Sequence, residues 1–103
     1  PALEELAAAW RAQPGPEQTI ALCAELRGSG SEALAAEVVR RALADHAGEV
    51  SVLLAVGCLQ ARRGWLAQAQ TTLALAGKRG GRDPRPFAAL GRVLLLRGDA
   101  RRS

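Results

Sequence analysis

The chain has 103 residues, with 14 Lys+Arg against 10 Asp+Glu for a formal net charge of +4, and 49% of its residues are hydrophobic. This length fits one compact domain, because two separate cores would each be too small to be stable. The apolar fraction excludes a disordered polyelectrolyte, and no apolar stretch reaches the roughly 18 residues that a membrane-spanning helix needs.

The composition favours helices throughout. Ala and Leu dominate the sequence, both are strong helix formers, and no long stretch alternates apolar and polar residues as a strand would. Glycines and prolines recur between stretches of about a dozen residues, which is a common helix length. The sequence therefore predicts six helices, over residues 2–13, 16–28, 32–46, 50–63, 66–79 and 84–97.

Residues typical of helix ends flank several of these stretches. Ser31 is expected to cap the third helix, and Asp83 the sixth, with Pro84 in the first helical position. Gly48 and Gly80 are expected to adopt the left-handed conformation that closes a helix. Because the loops are short, consecutive helices should pack antiparallel.

The helix pattern repeats at a constant offset of about 34 residues, which we call the repeat spacing. In this register Gly57 falls on Gly91, and Gly64 falls on both Gly30 and Gly98. Each unit contains a bulky residue, an aliphatic–small pair, a second bulky position, a glycine turn and a helix with small–x₃–bulky spacing. In the second unit this is Leu53-x₂-Val56-Gly57-x₂-Gln60, then Gly64, then Ala69-x₃-Leu73 and Ala76.

This pattern resembles that of the tetratricopeptide repeat (TPR) family. The resemblance implies an all-α fold, a right-handed superhelix of antiparallel helix hairpins. It divides a single domain into the second helix of a preceding repeat (1–15), two repeats (16–49 and 50–83) and a truncated repeat (84–103). The units are degenerate, since most family aromatics are absent and Thr19 and Gln60 occupy bulky positions.

Small residues have a mechanical role in the predicted hairpins. We expect Gly57, Gly91 and Cys23 to let paired helices approach closely, with Ala35 and Ala69 contributing from the facing helices. Trp10, Trp65 and Phe87 are expected to pack inside. Because no second helix follows residues 84–97 in this chain, Leu90, Val93 and Leu94 are expected to be partly exposed.

The resemblance also implies a groove lined by the first helix of each repeat. Its floor would be aliphatic and its C-terminal end basic, which suits an acidic or amphipathic segment of another protein. Residue by residue, it assigns the partner-binding positions Ile20, Ala24, Arg27, Ser51, Leu54, Cys58, Arg62, Arg85, Ala88, Arg92 and Leu95. The arginines could equally serve only to keep a helix face soluble.

No catalytic, cofactor or metal site is predicted. His46 is the only histidine, and we expect it to be a surface residue at a helix end. We expect Cys23 and Cys58 to be buried free thiols. The glycine-rich segments lack the Gly-Lys-Ser/Thr of a phosphate loop. The chain is therefore expected to be an interaction module rather than an enzyme.

Two observations bear on location and origin. Residue 1 is Pro, which suggests a piece of a longer protein, and no signal peptide is visible, which favours the cytoplasm. The Ala, Leu, Arg and Gly bias is typical of GC-rich bacterial genomes.

Other functions remain open at this point. Residues 1–50 hold four basic and eight acidic residues, a balance of −4, and residues 51–103 hold ten basic and two acidic residues, a balance of +8. The chain could therefore self-associate through its end helices. A chaperone of a bacterial secretion or motility machine would also use an apolar groove. Nucleic-acid backbone binding through Arg40–Arg41, Arg62–Arg63 and Arg101–Arg102 is the weaker alternative, because aromatic side chains for base stacking are scarce.

Overall fold

The computed structural model describes the backbone of residues 2–102 and the side chains of residues 3–98. Within this part of the chain the structure is all-helical, with six helices and no strand. The helices are α1 (Ala2–Ala12), α2 (Pro16–Leu26), α3 (Glu32–Asp45), α4 (Val50–Arg62), α5 (Leu66–Gly80) and α6 (Arg85–Arg102). The prediction of six helices is confirmed, and no described helix is long and apolar enough to cross a membrane.

The predicted end of the last helix is wrong, because α6 continues through Gly98 to Arg102. Glycine inside a helix costs about 1 kcal/mol but leaves the backbone hydrogen bonds possible, so it need not end the helix. The side chains of Asp99, Arg101 and Arg102 lie outside the described residues, and so does the Arg101–Arg102 pair named above.

Both predicted capping side chains accept backbone hydrogen bonds. The Ser31 hydroxyl accepts from the Leu34 N–H at 3.0 Å, and Asp83 Oδ1 accepts from the Arg85 N–H at 3.0 Å. The predicted left-handed glycines are wrong: the positive φ angles fall at Gly30, Gly64 and Gly81 instead of Gly48 and Gly80. Helix α5 includes Gly80, which moves the turn by one residue, and α3 ends at Asp45 and is followed by His46 with a φ of −130°.

Helices α2, α4 and α6 form a continuous row in which each backbone packs against the next. Helix α3 lies against α2 and α4, and α5 lies against α4 and α6, while α1 packs on α2. The smallest dimension of the molecule is 19 Å, which corresponds to two helix layers. Helix α4 begins at Val50, one repeat spacing after α2 begins at Pro16. Helix α5 begins at Leu66, one repeat spacing after α3 begins at Glu32.

The two connections between paired helices each contain a glycine with a positive φ angle. Gly30 and Gly64, which are separated by one repeat spacing, have φ angles of 87° and 84°. Only glycine adopts this left-handed region without a steric penalty, so both equivalent positions require glycine. The spacing found in the sequence therefore reflects a real repetition of local structure.

The buried residues form two clusters of unequal size. The larger cluster joins α1 to α4 around Trp10, Leu22 and Val56, and the smaller one joins α5 to α6 around Leu73 and Val93. Trp10 is fully enclosed and Trp65 packs at the edge of the larger cluster, as expected.

Three expectations about burial fail, two of them in α6 and one at a cysteine. Phe87 is 54% exposed rather than packed inside, and Val93 is fully buried rather than partly exposed. Cys58 is only half-buried, although Cys23 is buried. Val93 is buried because it packs on Ala69 and Leu73 of α5, whereas the Phe87 ring touches only the edge of α5 at Gly77 and no described helix covers the rest of it.

Gly57 and Gly91 have different surroundings despite their equivalent sequence positions. A Cβ on Gly57 would lie 2.5 Å from Leu73 Cδ2 of α5, so the two helices meet there at close range, as predicted. A Cβ on Gly91 would meet nothing within 4 Å. The predicted close approach at Gly91 is therefore wrong, because no helix in the described chain covers that face of α6.

Candidate partner-binding face

The row of α2, α4 and α6 carries two adjoining hollows on one face. The larger has a volume of about 660 Å³ and lies toward the C-terminal ends of α2 and α4 and the middle of α6. The smaller has a volume of about 410 Å³ and lies toward the start of α4 and α6. Ala24, Arg27 and Cys58 line both hollows, so the two form one continuous depression across the row.

Nine of the eleven predicted partner-binding residues line this depression. The smaller hollow brings together Ile20, Ala24, Arg27, Ser51, Leu54, Cys58 and Arg85. The larger adds Arg62 and Arg92. The structure therefore collects on one face residues from as far apart in the sequence as Ile20 and Arg92.

Ala88 and Leu95 do not line the depression. Both are exposed, and Leu95 is 69% exposed on the outward side of α6. Leu96 lines the larger hollow instead. A strict shift from Arg62 by one repeat spacing reaches Leu96 rather than Leu95, so the spacing contained the signal that the predicted assignment missed.

Other lining residues come from positions that the sequence marked only as packing residues. Ala61, Leu73, Ala89 and Val93 form the floor of the larger hollow. Their small or aliphatic side chains are shared with the smaller core cluster, so the floor is the outer surface of the core itself. It is therefore a preformed apolar surface.

Arginine supplies the charge of the depression. Arg27, Arg62 and Arg92 line it, and no carboxylate is among its lining residues. The ion pairs found between described residues involve none of these three guanidinium groups. Each can therefore donate hydrogen bonds to a carboxylate from outside the chain.

Arg85 differs from these three arginines because it is already paired. Its Nη2 donates to Asp83 Oδ2 at 2.7 Å, and its Nε lies 3.1 Å from both carboxylate oxygens. The hydrogen bonds from the Arg85 side chain and backbone hold the pKa of Asp83 below its usual range. Arg85 therefore mainly fixes the start of α6, and its charge is largely compensated.

The two cysteines differ in access to solvent. Cys58 is half-buried and lines both hollows, whereas Cys23 is buried in the larger core cluster. Burial raises the pKa of the Cys23 thiol to about 12, and the nearby Arg27 only partly opposes this effect. Cys58 is thus the more accessible thiol, and it lies in the depression.

His46 is not the surface residue that the sequence indicated. Its side chain is half-buried, its Nε2 lies 2.9 Å from the Pro14 carbonyl oxygen, and its Nδ1 lies 3.3 Å from Glu49 Oε2. These contacts connect the end of α3 to the loop before α2, so His46 has a structural role. In the part of the chain that the structure describes, no group of His, Cys, Asp and Glu could hold a metal ion.

No protein-family model, curated protein or solved structure matches this chain.

Proposed function

We propose that this chain is a protein–protein interaction module that holds an acidic, amphipathic helix or peptide in the depression across α2, α4 and α6. The observation that carries the proposal is the depression itself. It joins an apolar floor to three arginines without an ion-pair partner among the described residues, and no carboxylate lines it. A surface of this kind matches a ligand with one apolar face and flanking carboxylates.

We further propose that the fold is a TPR-like α-solenoid, with repeats at 16–49 and 50–83 and a truncated repeat from residue 84. The helix starts that recur at the repeat spacing and the positive φ angles shared by Gly30 and Gly64 support this interpretation. The row of first helices α2, α4 and α6 is then the side that such arrays use to bind extended or helical ligands.

The size of the depression limits the ligand. Three packed helices at about 8–10 Å spacing span roughly 20–30 Å, which corresponds to about 14–20 residues of α-helix. Because the arginines lie toward the C-terminal ends of α2 and α4 and in the middle of α6, the carboxylates of the ligand should cluster toward one side.

A fluorescent amphipathic peptide with an aliphatic stripe and flanking glutamates tests the proposal. Its binding should weaken roughly 10-fold or more in the double variant Arg62→Glu/Arg92→Glu, because each substitution replaces an attractive charge pair with a repulsive one. The matched control is Arg40→Glu/Arg79→Glu, which reverses two exposed arginines outside the depression and should change binding much less.

A second readout locates the ligand. Bound peptide should slow alkylation of Cys58, whereas a peptide of the same composition with its apolar stripe scrambled should not. Two results would show that the depression is not the binding site. One is equal binding of the two peptides, and the other is full protection of Cys58 by the peptide in Arg62→Glu/Arg92→Glu as well as in Arg40→Glu/Arg79→Glu. Tighter binding of an oligonucleotide than of the peptide would instead favour a nucleic-acid backbone as the ligand.

A further inference from the structure

The outward side of α6 exposes large apolar side chains. Phe87 is 54% exposed, Leu94 47% and Leu95 69%, and Gly91 between them has open space above it. These four residues recur at spacings of three and four, so they form one stripe, which we name the outer face of α6. It points away from Ala89 and Val93, which pack into the core, and is separate from the depression.

The corresponding face of α4 shows how such a stripe is covered. Leu53, Gly57 and Gln60, which precede Phe87, Gly91 and Leu94 by one repeat spacing, are all buried. Helix α5 packs on this side of α4, with Leu73 seated directly on Gly57. The outer face of α6 therefore has the shape of a helix-binding surface, and no described helix occupies it.

The opposite end of the molecule has a complementary surface. Helix α1 turns Leu3, Leu6, Ala7 and Trp10 inward. Its exposed side, which we name the outer face of α1, consists of Glu4, Glu5, Ala8 and Ala12. Ala9 and Arg11 are exposed at its edges, and Arg11 is paired with Glu37 of α3 at 3.5 Å. The backbones of α3 and α5 each pack between two helices of the row, whereas the backbone of α1 packs only on α2 among the described helices. An alanine face admits another helix at close range.

Charge distinguishes between the ways in which two copies could meet. The half of the chain that contains α1 carries −4 and the half that contains α6 carries +8. Next to Phe87, the last turn of α5 adds exposed Lys78 and Arg79, and Gly77 of the same turn lies against the Phe87 ring. Two α6 ends would repel each other, whereas an α1 end and an α6 end attract.

We propose that a second copy of this chain covers the outer face of α6 with the outer face of its own α1. Phe87, Leu94 and Leu95 pack on Ala8 and Ala12, and Glu4 and Glu5 face the basic end. The contact is head-to-tail, so each copy keeps one free α1 and one free α6, and association continues into open chains. This surface is independent of the depression and does not rest on the proposed function.

Sedimentation velocity of the whole chain tests the proposal. At low ionic strength the mean mass should rise with concentration beyond that of a dimer, and it should fall on adding salt, which screens the opposite charges. Two variants each remove one end: Ala8→Arg on α1, and Leu94→Ser/Leu95→Ser on α6. Each should weaken self-association roughly 10-fold or more and run as a monomer where the native chain associates.

Mixing the two variants gives the decisive result. Each retains one intact end, so an equimolar mixture should form heterodimers and nothing larger. Ala44→Arg on α3 and Thr71→Ser/Ala74→Ser on α5 change exposed residues away from both ends and should associate like the native chain. Circular dichroism checks that every variant keeps its helicity.

Two outcomes would overturn the head-to-tail contact. One is a native chain that stays monomeric at all concentrations in low salt. The other is undiminished dimerisation of Ala8→Arg together with monomeric Leu94→Ser/Leu95→Ser, which would show that two α6 faces pair with each other.

Discussion

Leu73 of α5 sits directly on Gly57 of α4, so close that a Cβ on Gly57 would lie 2.5 Å from Leu73 Cδ2 and 2.6 Å from Leu73 Cγ. The absence of a side chain at position 57 thus determines how near α5 approaches α4. This contact links the two core clusters, because Leu73 belongs to the smaller one and α4 contributes to the larger.

The same substitution should have opposite effects at the two equivalent glycines. Gly57→Ala should lower the free energy of unfolding by about 1–3 kcal/mol, because Leu73 must move from a packed position. Gly91→Ala should raise it by about 0.5–1 kcal/mol, because alanine favours the helix and nothing lies within 4 Å of the new Cβ. Urea unfolding measures both, and a loss at Gly91 equal to that at Gly57 would contradict this contrast.

Gln60 is a buried polar residue whose amide is poorly satisfied. Its side chain is 1% exposed, its Oε1 has no hydrogen-bond partner among the described residues, and its Nε2 lies a long 3.5 Å from Gln68 Oε1. Gln60→Leu should raise the free energy of unfolding by about 1–2 kcal/mol, because it removes an unpaired buried acceptor at similar volume. Gln68→Ala, at an exposed position, should be nearly neutral; a destabilised Gln60→Leu would indicate that the amide has a partner.

Arg63 should matter for stability, and its neighbour Arg62 should not. Arg63 Nε donates to the Leu26 carbonyl at 3.1 Å, and its Nη2 donates to the carbonyls of Ser29 at 2.7 Å and Gly30 at 3.1 Å. These bonds hold the end of α2 and the following turn against α4. Arg63→Ala should therefore cost about 1–3 kcal/mol, because a charged donor is lost to several carbonyls at once.

Arg62→Ala is the matched control for this prediction. Its side chain is exposed, makes no hydrogen bond to another described residue, and lines the larger hollow. Its removal should change the free energy of unfolding by less than about 0.5 kcal/mol. Equal losses of stability from the two alanine variants, measured by urea unfolding, would refute the assignment of Arg63 to structure.

The two cysteines should react with iodoacetamide at very different rates. Because burial raises the pKa of Cys23 to about 12, its thiolate fraction at pH 8 is roughly 1,000-fold below that of an ordinary thiol. Native protein should therefore be alkylated at Cys58 alone, and denatured protein at both. Mass spectrometry of digested protein checks this, and early modification of Cys23 in native protein would contradict its burial.

The raised pKa of Cys23 also makes the stability of the fold depend on pH. Below the ordinary thiol pKa the Cys23 thiol is protonated in both the folded and the unfolded chain, and its contribution to stability is fully present. As the pH rises toward 12, the unfolded chain loses the proton first, so the folded state loses stability. Between about pH 8 and 10, the free energy of unfolding measured in urea should fall more for the native chain than for Cys23→Ala, which lacks this titrating thiol.

The helices themselves follow from local sequence. Alanine and leucine set the helical stretches, the glycines and prolines separate them, and Ser31 and Asp83 mark two starts through side-chain hydrogen bonds between near neighbours. Each of these effects acts within about four residues, so the sequence alone determined the six helices and the first residue of five of them, while every predicted last residue differs from the structure. The repeat spacing likewise predicted nine of the residues that line the depression across α2, α4 and α6, but misplaced Ala88 and Leu95.

The surroundings of equivalent positions and the roles of individual arginines were decided by the tertiary structure. Gly57 and Gly91 hold equivalent positions, yet Leu73 packs on Gly57 whereas nothing lies within 4 Å of a Cβ on Gly91. Arg62 and Arg63 are identical in type, yet only Arg63 reaches the carbonyls at the end of α2. Such differences depend on contacts between residues that lie far apart in the sequence, and the distances in these contacts are absent from any local pattern.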